Sequence, residues 1–225
     1  MRAKLNCAKE AVKLVEDGML LGIGSGTTVE LFLNELGKRI KSEELEVYGV
    51  PSSYQSHIIA VKNGIKVVDL LQFPELDLCI DGADQIDSSL NCVKGGGGAL
   101  TREKIVASAS RRFVIIADES KLVEKLNMPI PLEVIPFAYG FVAKKIEKLG
   151  GRCELRIGSG KVGPVISDNG NFIADCDFGV IQNPKELEVK LNMIPGVVEN
   201  GIFCNDMIDR VIIGTEEGVR ILERL

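Results

Sequence analysis

Residues 19–36 read MLLGIGSGTTVELFLNEL. Met19 to Ile23 form an apolar run of the length of a buried strand. Gly24-Ser25-Gly26-Thr27-Thr28 then breaks it, and Val29 to about Leu36 carries the spacing of an amphipathic helix. A strand, a glycine turn and a helix in that order form the unit from which parallel sheets are built. Working outward, Leu5, Ala8, Val12 and Val15 fall on one face of a preceding helix. Strand-like runs at 47–50, 65–68, 76–80 and 113–117 alternate with helical stretches at 52–63 and 100–108. The fold class this predicts is α/β, a doubly wound, mostly parallel sheet of Rossmann-like type.

The texture changes after Lys121. A segment bearing Pro129, Pro131 and Pro136 leads to a strand at 132–135, a helix to Leu149, strands at 152–157 and 172–175, a helix at 184–192 and a strand at 197–203. The order β-α-β-β-α-β predicts a smaller ferredoxin-like α+β domain. A final strand at 210–213 and a helix from Gly218 to Leu225 are read as returning to the first sheet, so the second domain is inserted. The expected division is 1–127 with 206–225 for the Rossmann-like catalytic domain, and 128–205 for the insert.

The 225 residues are 45% apolar and 26% charged, with a net charge of -5. That suffices for a full core and argues against a nucleic-acid or anionic-membrane surface. Six cysteines without a CxxC pair read as small buried hydrophobes in a reducing compartment. Charges within the N-terminal apolar pattern exclude a signal peptide, and no stretch has the length of a membrane span. A cytoplasmic protein is expected.

The chemistry concentrates in DGADQIDSSLNCVKGGGGALTREK, residues 81–104. Asp81, Asp84 and Asp87 follow a buried strand, where open α/β sheets place their ligands. Lys94 and the amides of Gly95, Gly96, Gly97 and Gly98 can face an anion or an enolate. Glu103, in the first turn of a helix starting near Leu100, has no aspartate beside it. A carboxylate base next to a positive, amide-rich pocket suits proton abstraction beside a carbonyl. Solvated Asp turns, a glycine linker and a macrodipole Glu explain each feature singly, but a linker is out of place between a buried strand and a helix. The rival is an Asp cluster holding Mg²⁺. It lacks EF-hand spacing and has Lys94 as a neighbour.

Ser25, Gly26, Thr27 and Thr28 place amides and hydroxyls at a helix N-terminus, a ready phosphate site. The Gly-Lys-Ser/Thr end of a Walker loop is absent, and the dinucleotide fingerprint fails because its third glycine falls at Val29. A structural turn with Thr capping the helix is the competing reading. Paired with the acid-base cluster, the loop points to a phosphorylated carbonyl substrate. His57 reads as a surface residue, residues 168–171 as a hairpin turn, and Asp206 and Asp209 as structural.

The segments GIGSGTT (22–28), PSSYQS (51–56), DGADQID (81–87), KGGGGALTREK (94–104) and PGVVENGIF (195–203) resemble, in order and over essentially the whole chain, the A-type ribose-5-phosphate isomerases. The resemblance implies that Glu103 moves a proton between C1 and C2, and that Asp81, Gly82, Ala83, Asp84, Lys94, Gly95, Gly96 and Gly97 bind the sugar. It also implies that Ser25 to Thr28 and Lys121 bind substrate, that no metal or organic cofactor is used, and that the chain forms a homodimer or homotetramer. Catalysis would fall to Glu103, Asp81, Asp84 and Lys94. Two departures stand out: Ser25 where the family more often has Thr, and Gln85 where it usually has Glu. Two other classes use similar sheets. A sugar-phosphate sensor of a transcription regulator would need a DNA-binding unit that the residues before the first strand do not supply, and a CoA transferase would use Glu103 as a nucleophile.

Overall fold

The computed structural model describes residues 1–160 and 162–223. Its helices are α1 (Arg2–Val12), α2 (Thr27–Glu43), α3 (Tyr54–Lys62), α4 (Leu100–Ser108), α5 (Tyr139–Lys148) and α6 (Pro184–Asn192). Its strands are β1 (Leu20–Ile23), β2 (Tyr48–Pro51), β3 (Lys66–Val67), β4 (Leu78–Asp81), β5 (Gln85–Ile86), β6 (Cys92–Val93), β7 (Phe113–Asp118), β8 (Ile130–Val134), β9 (Arg152–Leu155), β10 (Phe172–Asp177), β11 (Val197–Asn200), β12 (Ile202–Phe203), β13 (Arg210–Gly214) and β14 (Val219–Glu223). Two compact units result: 1–83 with 102–121 and 205–225, and 84–101 with 122–204.

The first unit holds a seven-stranded sheet in the order β14-β13-β7-β4-β1-β2-β3. All its pairings are parallel except the β13–β14 hairpin. Alternation along β1 shows both faces covered. Leu21 and Ile23 enter a core with Ala8, Val12, Phe32, Leu33 and Leu36 from α1 and α2. Gly22 faces the other way, and a β-carbon there would lie 2.6 Å from Val106 of α4. The order of connection reverses between β1 and β4, whose register pairs Ile23 with Ile80, so the turns after both strands open at a switch point of the sheet.

The second unit contains the β8-α5-β9-β10-α6-β11 motif, with an antiparallel sheet ordered β11-β8-β10-β9. This is the ferredoxin-like arrangement. Ile130, Leu132, Val134, Ala174 and Cys176 from its strands pack with Val142, Ile146 and Leu191 from its two helices.

Three expectations need correction. No helix follows Gly218. Residues 219–223 form β14, antiparallel to β13, because the turn Thr215–Gly218 closes a hairpin through the Thr215 N–H to Gly218 O bond of 2.9 Å; residues 224 and 225 lie outside the described residues. The division near residue 127 is also displaced. Residues 84–101 and 122–127 belong to the second unit, where β5 and β6 build a small sheet with β12 and Val93 and Leu126 enter its core. Lastly, the strand expected at 197–203 is two strands, because Gly201 turns the chain from the β8 partner to the β6 partner.

Candidate functional site

In the first unit, the turn after β1 is held from three sides. The Gly24 amide donates to Ile80 O at 3.0 Å, and the Ser25 and Gly82 amides donate to Asp81 Oδ1 at 3.1 and 2.7 Å. The Ser25 hydroxyl lies 2.9 Å from Ser52 Oγ and donates to Ser53 Oγ at 2.7 Å. Ser53 in turn caps α3, accepting from the Ser56 amide. Ser25 is therefore placed as an anchor between two turns, a role the sequence reading did not give it. The cap of α2 is Gly26, at φ 100°, and no side chain caps that helix, which corrects the Thr-cap alternative. The amides of Thr27, Thr28 and Val29 make no hydrogen bond among the described residues, leaving the positive end of a 17-residue helix open to an anion.

Lys4 of α1 donates to Thr27 Oγ1 at 3.2 Å and lies 4.0 Å from Asp118. Burial pushes the Asp118 carboxyl up, but the hydroxyl and amide of Ser120, together with the charges of Lys4 and Lys121, outweigh it and hold the group below the usual carboxylate range. Lys121 follows in a 3₁₀ turn. Thr27, Lys4, Asp118 and Lys121 thus form one charged cluster beside the α2 N-terminus.

Asp81 is fully buried at the end of β4, and Glu103 is buried in the first turn of α4 at 5% exposure. On the same helix Arg102 stacks over the Tyr54 ring at 5.3 Å.

The second unit carries the remaining predicted residues. Lys94 is buried, its amide donating to Gly201 O at 2.9 Å and its ammonium lying 5.2 Å from the Phe203 ring centre, a favourable place for a cation. Gly201 must be a glycine, because a β-carbon would fall 2.3 Å from Lys94 O. Asp84 accepts from the Gly96 amide at 2.7 Å, and Gly98 N–H returns to Gly95 O at 2.9 Å. Two of the four glycine amides are thereby engaged inside the loop. Those of Gly95 and Gly97 make no hydrogen bond among the described residues. Ala83 precedes this unit, half-buried and without a side-chain polar group.

Asp87 serves its own turn, accepting from the amides of Ser89 and Asn91 and from the Asn91 side chain. Gln85 accepts from the amides of Asn127 and Met128 and donates to Asn127 Oδ1 at 2.7 Å; that last bond needs an amide, so a Glu here would lose it. Among the described residues, no group of three or more His, Cys, Asp or Glu is arranged to hold a metal ion. His57 is exposed, and Asp209 accepts from the Phe113 amide at 2.7 Å.

The profile of ribose 5-phosphate isomerase A (phosphoriboisomerase A) matches residues 48–218. The chain belongs to the ribose 5-phosphate isomerase A family. Ribose-5-phosphate isomerase A of Archaeoglobus fulgidus is 63% identical over 221 residues, 97% of this chain and 98% of that one. The solved ribose 5-phosphate isomerase A from Methanocaldococcus jannaschii matches with a TM-score of 0.94 at 49% identity, covering 98% of both chains. A D-ribose-5-phosphate isomerase in complex with phospho-erythronic acid matches with a TM-score of 0.95 at 46% identity, covering 99% of this chain and 98% of that one. As a member of the ribose 5-phosphate isomerase A family, this chain is an isomerase. Reading residues singly missed the anchoring serines 52 and 53 and Asp118; the PSSYQS segment was the available sign for the first two, and none marked Asp118.

Proposed function

We propose that this isomerase interconverts D-ribose 5-phosphate and D-ribulose 5-phosphate through an enediolate, the aldose–ketose step of the non-oxidative pentose phosphate pathway. The observation that carries the reading is Glu103, a carboxylate buried at the head of a helix directly after the Lys94–Gly98 segment, in a chain whose family is established.

In the proposed reaction, the opened sugar is held by its phosphate at Ser25 to Thr28, with Lys4 and Lys121 supplying positive charge. Glu103 removes the C2 proton and returns it to C1. Negative charge developing on the oxygens is stabilised by Lys94 and by glycine-run amides, which need not reorganise during the step. Asp81 or Asp84 passes the proton between O1 and O2. A member of the same family holding phospho-erythronic acid supports a phosphorylated, carboxylate-like intermediate as the ligand class.

In the same reading the enzyme is cytoplasmic and assembles as a homodimer or homotetramer. No helix among the described residues is long and apolar enough to cross a membrane. The exposed Phe137 and Phe141 of the second unit are apolar surface of the kind that subunits cover. Light scattering after gel filtration reports the assembly.

The deciding assay supplies ribose 5-phosphate alone, with EDTA and without CoA. Ribulose 5-phosphate should form at full rate. Activity that vanishes with EDTA and returns with Mg²⁺ would make Asp81 and Asp84 metal ligands, and activity that requires CoA would favour the transferase.

A further inference from the structure

Arg156 follows β9 and lies outside the five short motifs that carried the resemblance, yet its guanidinium grips the glycine run. Nη1 donates to both Gly95 O and Gly96 O at 2.9 Å. The other two nitrogens form a fork on Asp175 of β10, Nε to Oδ2 at 2.8 Å and Nη2 to Oδ1 at 2.5 Å. Arg156 is itself fixed by its backbone, donating to Ile173 O at 2.9 Å and accepting from Val165 N at 2.8 Å. Ile173 and Asp175 share one face of β10, so Arg156 and Asp175 are diagonal neighbours on the face opposite to the core residues Ala174 and Cys176. Gly98 packs toward that same face, its β-position 3.5 Å from Ile173.

Peptide geometry turns this grip into an orientation. In a trans peptide the C=O of one residue and the N–H of the next point in opposite directions. With Gly95 O and Gly96 O drawn to Arg156, the N–H groups of Gly96 and Gly97 point away from it. The first of these meets Asp84 Oδ2 at 2.7 Å. The second is one of the two open amides of the run.

We propose that Arg156 is a positioning residue for the isomerisation: by holding two carbonyls on the sheet side, it aims the Gly97 amide at the developing oxyanion and sets Asp84 through the Gly96 amide. The inference rests on the reading of function given above. Arginine suits the task because its planar fork serves Asp175 and the carbonyls at once, whereas lysine supplies a point charge. Among the described residues no other side chain donates to the carbonyls of Gly95 and Gly96, and glycines, without side chains, adopt many backbone states unless held.

The test compares Arg156→Lys and Asp175→Asn with wild type in kcat, KM for ribose 5-phosphate, and amide hydrogen exchange followed by NMR. Because the aimed groups act most on the transition state, Arg156→Lys should lower kcat about 10- to 100-fold with KM within about threefold. Exchange at the Gly96 and Gly98 amides should rise at least tenfold while β8 and β10 stay protected. Asp175→Asn, which keeps the arginine but weakens its anchor, should fall between Arg156→Lys and wild type, and it carries the test should Arg156→Lys not fold. A kcat per folded enzyme within twofold of wild type overturns the proposal whatever the stability loss, and so does a fall in kcat without faster exchange in the run. Failure of the functional reading is distinguishable, since wild type would then not convert ribose 5-phosphate; exchange still decides whether Arg156 orders the loop.

Discussion

The Asp81 carboxylate fills the space that a side chain on Gly24 would need: a β-carbon there would lie 1.9 Å from Asp81 Oδ1 and 2.0 Å from its Cγ. Close approach of the strand ends β1 and β4 lets the Ser25 and Gly82 amides share one carboxylate oxygen. Gly24→Ala should therefore displace Asp81 and cost about 1–3 kcal/mol of stability, as overpacking does. Turnover should fall further than the folded fraction, which activity measured per folded molecule would show. Wild-type activity in a folded Gly24→Ala enzyme would contradict a reacting role for Asp81.

Glu103→Gln is nearly isosteric and should leave folding and substrate affinity intact while lowering kcat by ~10²–10⁴, the range for a general base. Steady-state kinetics with a melting curve checks it. More than a tenth of normal turnover would remove Glu103 from the role.

Thr28→Val removes a hydroxyl from the open end of α2 while keeping its shape. A hydrogen bond to a charged group is worth roughly 1.5–3 kcal/mol, so KM for ribose 5-phosphate should rise about 10- to 100-fold. Weak use of unphosphorylated ribose should hardly change. If the ratio of kcat/KM for the two sugars stays constant, the Thr28 hydroxyl does not hold the phosphate, and Lys4 beside Thr27 becomes the residue to change next.

Alkaline pH should weaken the fold through Cys7. This thiol is fully buried and donates to Lys4 O at 3.1 Å. Burial pushes it from 9.0 to about 11. Because the folded value is the higher one, the protonated thiol's contribution is fully present below pH 9 and is lost as pH rises through about 11. At about 1.4 kcal/mol per tenfold change in proton affinity, that amounts to about 2–3 kcal/mol. Urea midpoints measured for wild type and Cys7→Ala between pH 8 and 11 should converge with rising pH. Parallel curves would show that the Cys7 thiol ionises alike in the folded and the unfolded chain.

Much of the first sheet was legible because its strands are short apolar runs bounded by glycine or charge, and periodicity separates these from helices. The α2 helix was read short, to about Leu36. The structure carries it to Glu43, and Gly37 is there to admit the Asn63 side chain, whose Oδ1 would lie 2.4 Å from a β-carbon. The β14 strand was misread for the opposite reason: Val219 to Glu223 is mostly exposed, so no buried face imposed a clear alternation. In the candidate site, residue types were legible and hydrogen-bond direction was not. Composition shows that Ser25 has a hydroxyl and Gly96 an amide, but only coordinates show the first turned to Ser52 and Ser53 and the second to Asp84. Arg156 was invisible because two of its partners are backbone carbonyl oxygens, which every residue has, and nothing in the sequence ties it to its third partner, Asp175.

The placement of β13 between β7 and β14 bears on how the chain is made. Its residues 210–214 pair with 114–118, and Phe113 N–H is held by Asp209, so β7 lacks one neighbour until residues 210–214, nearly a hundred positions later, have been made. An unpaired strand whose first five residues are all apolar is a template for association with other chains. A nascent chain stalled near residue 205 should therefore bind chaperones far longer than one released with β13 and β14, and truncation before Arg210 should yield aggregate in place of a smaller soluble enzyme.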